Sequence, residues 1–176
     1  MKTLALAVLA IAGVCSTAYA ADEASDQGFY VGGVYSFIDY KESGYSSVKP
    51  KAIALMFGWQ FIPNLALEGR IGAGAGSDDL GGIDIKVDSY YSGLLRGTVP
   101  VSDSFNLYAI AGVTNGKLKA SAGGITVSDS ETKASYGVGV EFVVQKQSGI
   151  SLEWGRFLSG NGYTADAISL GYRYRF

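Results

Sequence analysis

The chain has 176 residues, 48% of them hydrophobic and 17% charged, with 25 glycines, one cysteine and no histidine; that apolar content suffices for one folded domain and excludes disorder. Without histidine there is no Ser–His triad, no His-ligated metal and no imidazole acid or base, so most hydrolase mechanisms are excluded. Fourteen basic residues against sixteen acidic, a formal charge of −2, leave no electrostatic footprint for nucleic acid.

The chain opens with Met1 and Lys2, an apolar run from Leu4 to Val14, and small residues ending Ala18-Tyr19-Ala20. This order predicts a signal peptide over residues 1–20, cleaved before Ala21, because the apolar run is too short to cross a bilayer as a helix. Cys15 lies inside that segment behind Val14, where a lipidated cysteine would follow a small residue. The mature chain, 21–176, then has no cysteine and must be held by packing and backbone pairing alone.

Beyond the acidic stretch Ala21 to Gln27 no segment carries an apolar face at helical spacing. Period-two alternation recurs instead, the mark of a strand with two different faces. It predicts strands at Phe29 to Ile38, Ala52 to Ile62, Leu65 to Ala75, Asp84 to Val99, Phe105 to Lys117, Ala134 to Val144, Ile150 to Leu158 and Ala167 to Phe176. Tight turns are expected at Pro63-Asn64, Pro100 to Ser104 and Gln145 to Gly149. Longer loops, rich in Gly, Ser, Asp and Lys, are expected at Asp39 to Lys51, Ser77 to Ile83, Leu118 to Lys133 and Ser159 to Asp166. An even strand count with short turns on one side and long loops on the other predicts an all-β fold, an eight-stranded antiparallel up-and-down transmembrane β-barrel.

The two faces decide what surrounds it. In the last strand Ile168, Leu170, Tyr172, Tyr174 and Phe176 face one way, and Ser169, Gly171, Arg173 and Arg175 the other. An eight-stranded barrel has room inside only for side chains to fill it, so the glycines and few charges point in and the bulky face points out. That outer face is far more apolar than water tolerates, which makes lipid its solvent. Eleven residues tilted in the wall climb roughly 28 Å, enough for the apolar band. Phe29, Trp59, Phe61, Phe105, Trp154 and Phe176 are expected near the turn-side ends as an interfacial girdle.

Seven charges fall on the inward face: Glu68, Arg70, Arg96, Glu141, Glu153, Arg173 and Arg175. If Val144 pairs with Ile150, Glu141 stands opposite Glu153, and Arg173 or Arg175 is expected to supply the bridging cation. Three uses compete: a plug that fixes register, a gate in a narrow porin-like channel for ions or small solutes, and a carboxylate pair working on a sugar. The plug leads, and a plugged barrel offers no cleft for catalysis. Arg156 has lipid-facing parity while Phe157 faces in, which predicts a bulge or a snorkelling side chain. Asp78, Asp79, Asp84 and Asp88 lack any fixed ligand spacing and read as a solvated loop. Gly72 to Gly76 mimics a phosphate loop without the helix that would complete it, so it reads as strand. No cofactor, metal or catalytic residue is expected. The longest loop, Leu118 to Lys133, is the candidate contact surface.

The final segment, Ser169-Leu170-Gly171-Tyr172-Arg173-Tyr174-Arg175-Phe176, resembles the C-terminal assembly signal of the small outer-membrane β-barrel proteins of Gram-negative bacteria, the OmpA, OmpX and Opa-like porin-family group. The resemblance covers the mature chain, and the runs Asn64 to Glu68 and Leu107 to Gly112 also look like that family's strand openings. It implies a place in the cell outer membrane with both termini in the periplasm, and lipid and lipopolysaccharide as surroundings. It further implies that the barrel assembly machinery reads Gly171, Tyr174 and Phe176. OmpA itself continues into a peptidoglycan-binding domain, whereas this sequence stops at Phe176, so no cell-wall tether is expected. The function expected is structural or surface-interacting, through loops that touch a host or surface ligand.

Overall fold

The computed structural model describes residues 27–42, 49–76, 78–79, 84–122, 125–160 and 163–176; the expected signal peptide lies outside them. Eight strands carry the chain: β1 Gly28–Glu42, β2 Lys51–Ile62, β3 Leu65–Gly76, β4 Asp84–Ser102, β5 Phe105–Ala122, β6 Ile125–Gln145, β7 Ser148–Gly160 and β8 Tyr163–Arg175. Each pairs antiparallel with its neighbours in sequence, and β1 pairs with β8 from Tyr30↔Arg175 to Glu42↔Tyr163, closing the barrel. A two-residue segment, Asp78–Asp79, adds to the outer end of β4. Closure pairs every strand on both sides through the turn-side half of the barrel, so that half has no sheet edge for lipid to leave unsatisfied.

Burial follows the alternation. Along β2 exposed and buried residues alternate one by one, with Leu55 72% exposed beside Ala54 at 3%. Every strand contributes large apolar side chains to the outside, among them Val31, Leu67, Tyr91, Leu107, Val138, Leu152 and Leu170. At the turn end Phe29 stacks with Trp59, Phe105 packs edge-on to Phe142, and Tyr174 to Phe176. Trp154, expected with them, sits halfway along β7 against Tyr136 instead.

Inside, two tyrosines lie flat over cross-strand glycines. Tyr30 is opposite Gly58 and Tyr108 opposite Gly139. A Cβ at Gly58 would come within 2.1 Å of the Tyr30 ring, and one at Gly139 within 2.4 Å of the Tyr108 ring. Glycine at these two places lets a large ring fill a lumen that has no space for a second side chain.

The loops are shorter than the sequence pattern suggests. The segment expected to be the longest loop, Leu118 to Lys133, is instead a hairpin: β5 and β6 pair without a break from Phe105↔Phe142 to Ala122↔Ile125. Strand also reaches into the loops expected at Asp39 to Lys51, as far as Glu42, and at Ser159 to Asp166, through Gly160 and again from Tyr163. The reason is physical: above the membrane both faces of a strand meet water, so the alternation that marks a lipid-facing strand is lost while backbone pairing continues. The turn expected from Pro100 is likewise confined to Asp103 and Ser104, and β4 runs through Pro100 to a register shift before Ser102. Proline is tolerated there because bulges and strand ends do not need its missing donor.

Candidate functional site

Five strands bring six of the seven inward charges into one linear arrangement. From one end to the other it runs Glu153 on β7, Arg70 and Glu68 on β3, Arg96 on β4, Glu141 on β6 and Arg173 on β8. Arg70 donates through both terminal nitrogens to Glu153, at 2.7 and 2.8 Å, and through Nε to Glu68 at 2.7 Å. Arg96 lies 3.8 Å from Glu68 and donates to Glu141 Oε2 at 2.8 Å, while Arg173 donates to Glu141 Oε1. Signs alternate along the whole series, three of each, so the group is neutral. None of these six side chains is more than 7% exposed.

The two tyrosines complete the set. Tyr30 donates to Glu68 at 2.8 Å and Tyr108 to Glu153 at 3.1 Å. Their rings carry the guanidinium groups of Arg173, 4.8 Å from the Tyr30 centroid, and Arg96, 3.5 Å from the Tyr108 centroid. Buried charge is costly unless paired and hydrogen-bonded, and planar arginine forks satisfy both needs in a narrow space. The sequence pattern did not reveal the tyrosines; their inward parity opposite a glycine was the available signal.

Two placements differ from expectation. Glu141 is opposite Ser151, and Glu153 is opposite Gly139, because the register shifts between Val143 and Gln145 at the Lys146-Gln147 turn. The carboxylates therefore do not confront one another, and each has its own arginine. Arg173, reaching across β7, supplies the cation at Glu141, whereas Arg175 is half-buried two residues nearer the turns. With six buried groups locked across the lumen, a narrow channel is not favoured.

Above the charges is a belt of hydroxyls that the sequence reading also missed. Ser36 and Ser169 are 2.8 Å apart, Ser92 and Thr114 2.8 Å, and Thr114 and Ser135 2.8 Å. At the loop end the charges are paired on the surface: Lys119 with Asp88 at 2.8 Å, Lys133 with Glu131 at 2.8 Å, and Arg156 with both oxygens of Asp166 at 2.6 and 2.8 Å. Arg156 keeps its outward parity, and a register shift follows between it and Leu158. At the other end Gly171 is buried against Ser151, Tyr174 donates to Gln147 at 3.2 Å, and Phe176 stands 71% exposed with its amide on Phe29.

A family model described as outer membrane protein beta-barrel domain matches residues 6–176. The attachment invasion locus protein of Yersinia enterocolitica is 32% identical over 148 residues, covering 78% of this chain and 76% of that protein. The crystal structure of Ail, the attachment invasion locus protein of Yersinia pestis, superposes with a TM-score of 0.66 at 25% identity, over 85% of this chain and 99% of that one. The same Ail has been solved in complex with the heparin analogue sucrose octasulfate. Neisserial surface protein A has the same fold, with a TM-score of 0.70 at 16% identity over 85% of this chain and 97% of its own.

Proposed function

The chain belongs to the outer membrane protein beta-barrel family, and from that premise we propose that it acts as a surface-attachment protein whose contacts are made by the strand ends and loops above the membrane. It is an integral outer-membrane barrel, and its relatives are attachment and surface proteins, not enzymes. The observation that carries the proposal is the unbroken series of paired charges across the lumen. A lumen closed in this way leaves the outer face as the part of the molecule free to meet a partner. The 32% identity to an attachment invasion locus protein supports the same direction.

In this reading residues 1–20 are a cleaved signal peptide, and the short turns at 63–64, 103–104 and 146–147 face the periplasm with both termini. Gly171, Tyr174 and Phe176 form the signal read by the barrel assembly machinery, and lipopolysaccharide surrounds the outer rim. The six-charge series is a plug that fixes register. The contact surface is the β5–β6 hairpin with the loop between β1 and β2, and its partner is a host or other surface molecule; a sulfated polysaccharide is one candidate, by analogy with the ligand of Ail.

The test is adhesion. A non-adherent Gram-negative host expressing the full chain is expected to bind cultured epithelial monolayers at least about tenfold above vector control. Excision of 117–130, joining Gly116 to its cross-strand partner Glu131 through a two-residue turn, is expected to return binding to background with the heat-modifiable gel shift intact. No gain in binding by the full chain refutes the proposal. Steady conductance in planar bilayers would restore the channel reading.

A further inference from the structure

The outer half of the lumen is unlike the half that holds the charges. Ile38, Val87, Phe157, Ala165 and Ala167 line a partly open cavity of about 60 Å³ whose exposed wall is almost wholly apolar; Tyr40, Tyr90 and Lys117 also border it, and Ser36 and Thr114 belong to its floor. Those hydroxyls are already engaged with Ser169, Ser92 and Ser135. Barrel interiors that meet water are ordinarily polar. An apolar chamber above a sealed plug is better matched to an apolar occupant than to water.

The wall beside this chamber is an opened seam. The β6–β7 ladder stops at Tyr136↔Arg156, although β6 continues to Ile125 and β7 to Gly160. Phe157, inward by alternation, is the residue left unpaired at the register shift after Arg156, and its ring lines the chamber. In place of a ladder bond, the Ser135 hydroxyl donates to the Phe157 carbonyl at 2.8 Å. Bulges next to binding sites commonly terminate pairing. On the outer side of the same seam Tyr136, Trp154 and Ile168 are exposed to lipid, and the Arg156–Asp166 pair stands at the rim.

We propose that this chamber is a binding site for the end of an alkyl chain, which enters sideways through the β6–β7 seam from the outer leaflet and leaves its head group at the rim. The volume sets the scale. A dry cavity of about 150 Å³ takes a benzene, so a chamber of about 60 Å³ takes the terminal few carbons of a chain. The seam gives the direction, because the apolar phase adjoins it and the charged series blocks the way below. The proposal stands on the chamber and the seam and is independent of the attachment reading.

The experiment is a filtered methyl NOE measurement on the refolded mature chain in fully deuterated nanodiscs, with methyl-labelled Ala, Ile and Val. The first probe is protonated decanoate. Expected are NOEs from its terminal methyl to the inward methyls of Ala165 and Ala167 as well as to the outward methyl of Ile168. A second sample carries a phospholipid with protonated chains and no decanoate. Inward NOEs there identify a membrane lipid as the source of the chain, and their confinement to the decanoate sample identifies a free amphiphile; either supports the site. NOEs confined to Ile168 in both samples, or NOEs from Ala165 and Ala167 to water, overturn it. Ala167→Phe fills the chamber and is expected to abolish the inward NOEs, with Ala165→Leu as a smaller plug that preserves folding. Inward NOEs that survive both substitutions also overturn it.

Discussion

Replacing Glu141 by Gln tests the neutral series at its most connected point. Glu141 accepts from Arg96 at 2.8 Å and from Arg173, and both arginines are buried. Without its charge Arg173 loses the carboxylate it donates to, and Arg96 keeps only Glu68 at 3.8 Å. Stranding a buried charge by removing its partner costs about 3–5 kcal/mol. With a urea m-value of about 2–3 kcal/mol/M, the unfolding midpoint of the barrel in lipid vesicles should fall by roughly 1–2 M. Tryptophan fluorescence and the gel shift should report the same midpoint, with m unchanged. The double variant Glu141→Gln/Arg173→Met restores neutrality at two arginines against two glutamates and should recover most of the loss, since removing both members of a buried pair is close to neutral. A loss below about 1 kcal/mol for Glu141→Gln, or a double variant that costs the sum of the two singles, would show that the charges are not coupled in this way and would refute the reasoning.

Gly58→Ala should be among the most damaging small substitutions, because its Cβ meets the Tyr30 ring at 2.1 Å and drives the hydroxyl off Glu68; a cost of about 1–3 kcal/mol is expected, read by the same urea titration. Arg156→Ala removes a rim pair and should lower the urea midpoint far less than Glu141→Gln does. Raising salt to about 1 M should shrink that smaller fall, while the buried Glu141→Gln effect persists, because screening reaches exposed charges first. Hydrogen exchange should show the amides of the Gly116↔Glu131 and Leu118↔Asp129 pairs protected well beyond those of an open loop; exchange at loop rates would remove the stiff hairpin from the contact surface. Truncation of Phe176 should lower the yield of folded barrel in cells far more than refolding in vitro, since the role assigned to that residue is recognition during assembly.

What was legible in the sequence is what two solvents wrote there. Ile53, Leu55, Phe57 and Trp59 face lipid while Ala52, Ala54 and Met56 face the lumen, so the alternation of β2 was plain and its residue range came within one position. The hairpin from Leu118 to Lys133 carries no such record, because neither of its faces meets lipid, and its pairing is a backbone property. The lumen was legible as a set of residues but not as partners. One register shift between Val143 and Gln145 moved Glu153 away from Glu141, and only the closed ring shows that β3 and β7 face each other across its centre. The hydroxyl belt and the tyrosines over glycines depend on depth and ring orientation, which strand parity does not encode.

The bridge from Arg70 to Glu153 joins strands on opposite sides of the barrel, so no hairpin or partial sheet can form it. A chain that has paired seven strands still has β1 and β8 apart, and its six charges are not yet held in their final places. Such an intermediate is poorly suited to hydrocarbon, where unpaired charge is most costly. Sealing of the β1–β8 seam and neutralisation of the interior thus become one event, and lipid accepts the molecule only when both are done. A barrel with a slipped strand would keep a bare charge inside, so the same six side chains tie correct strand register to a neutral interior.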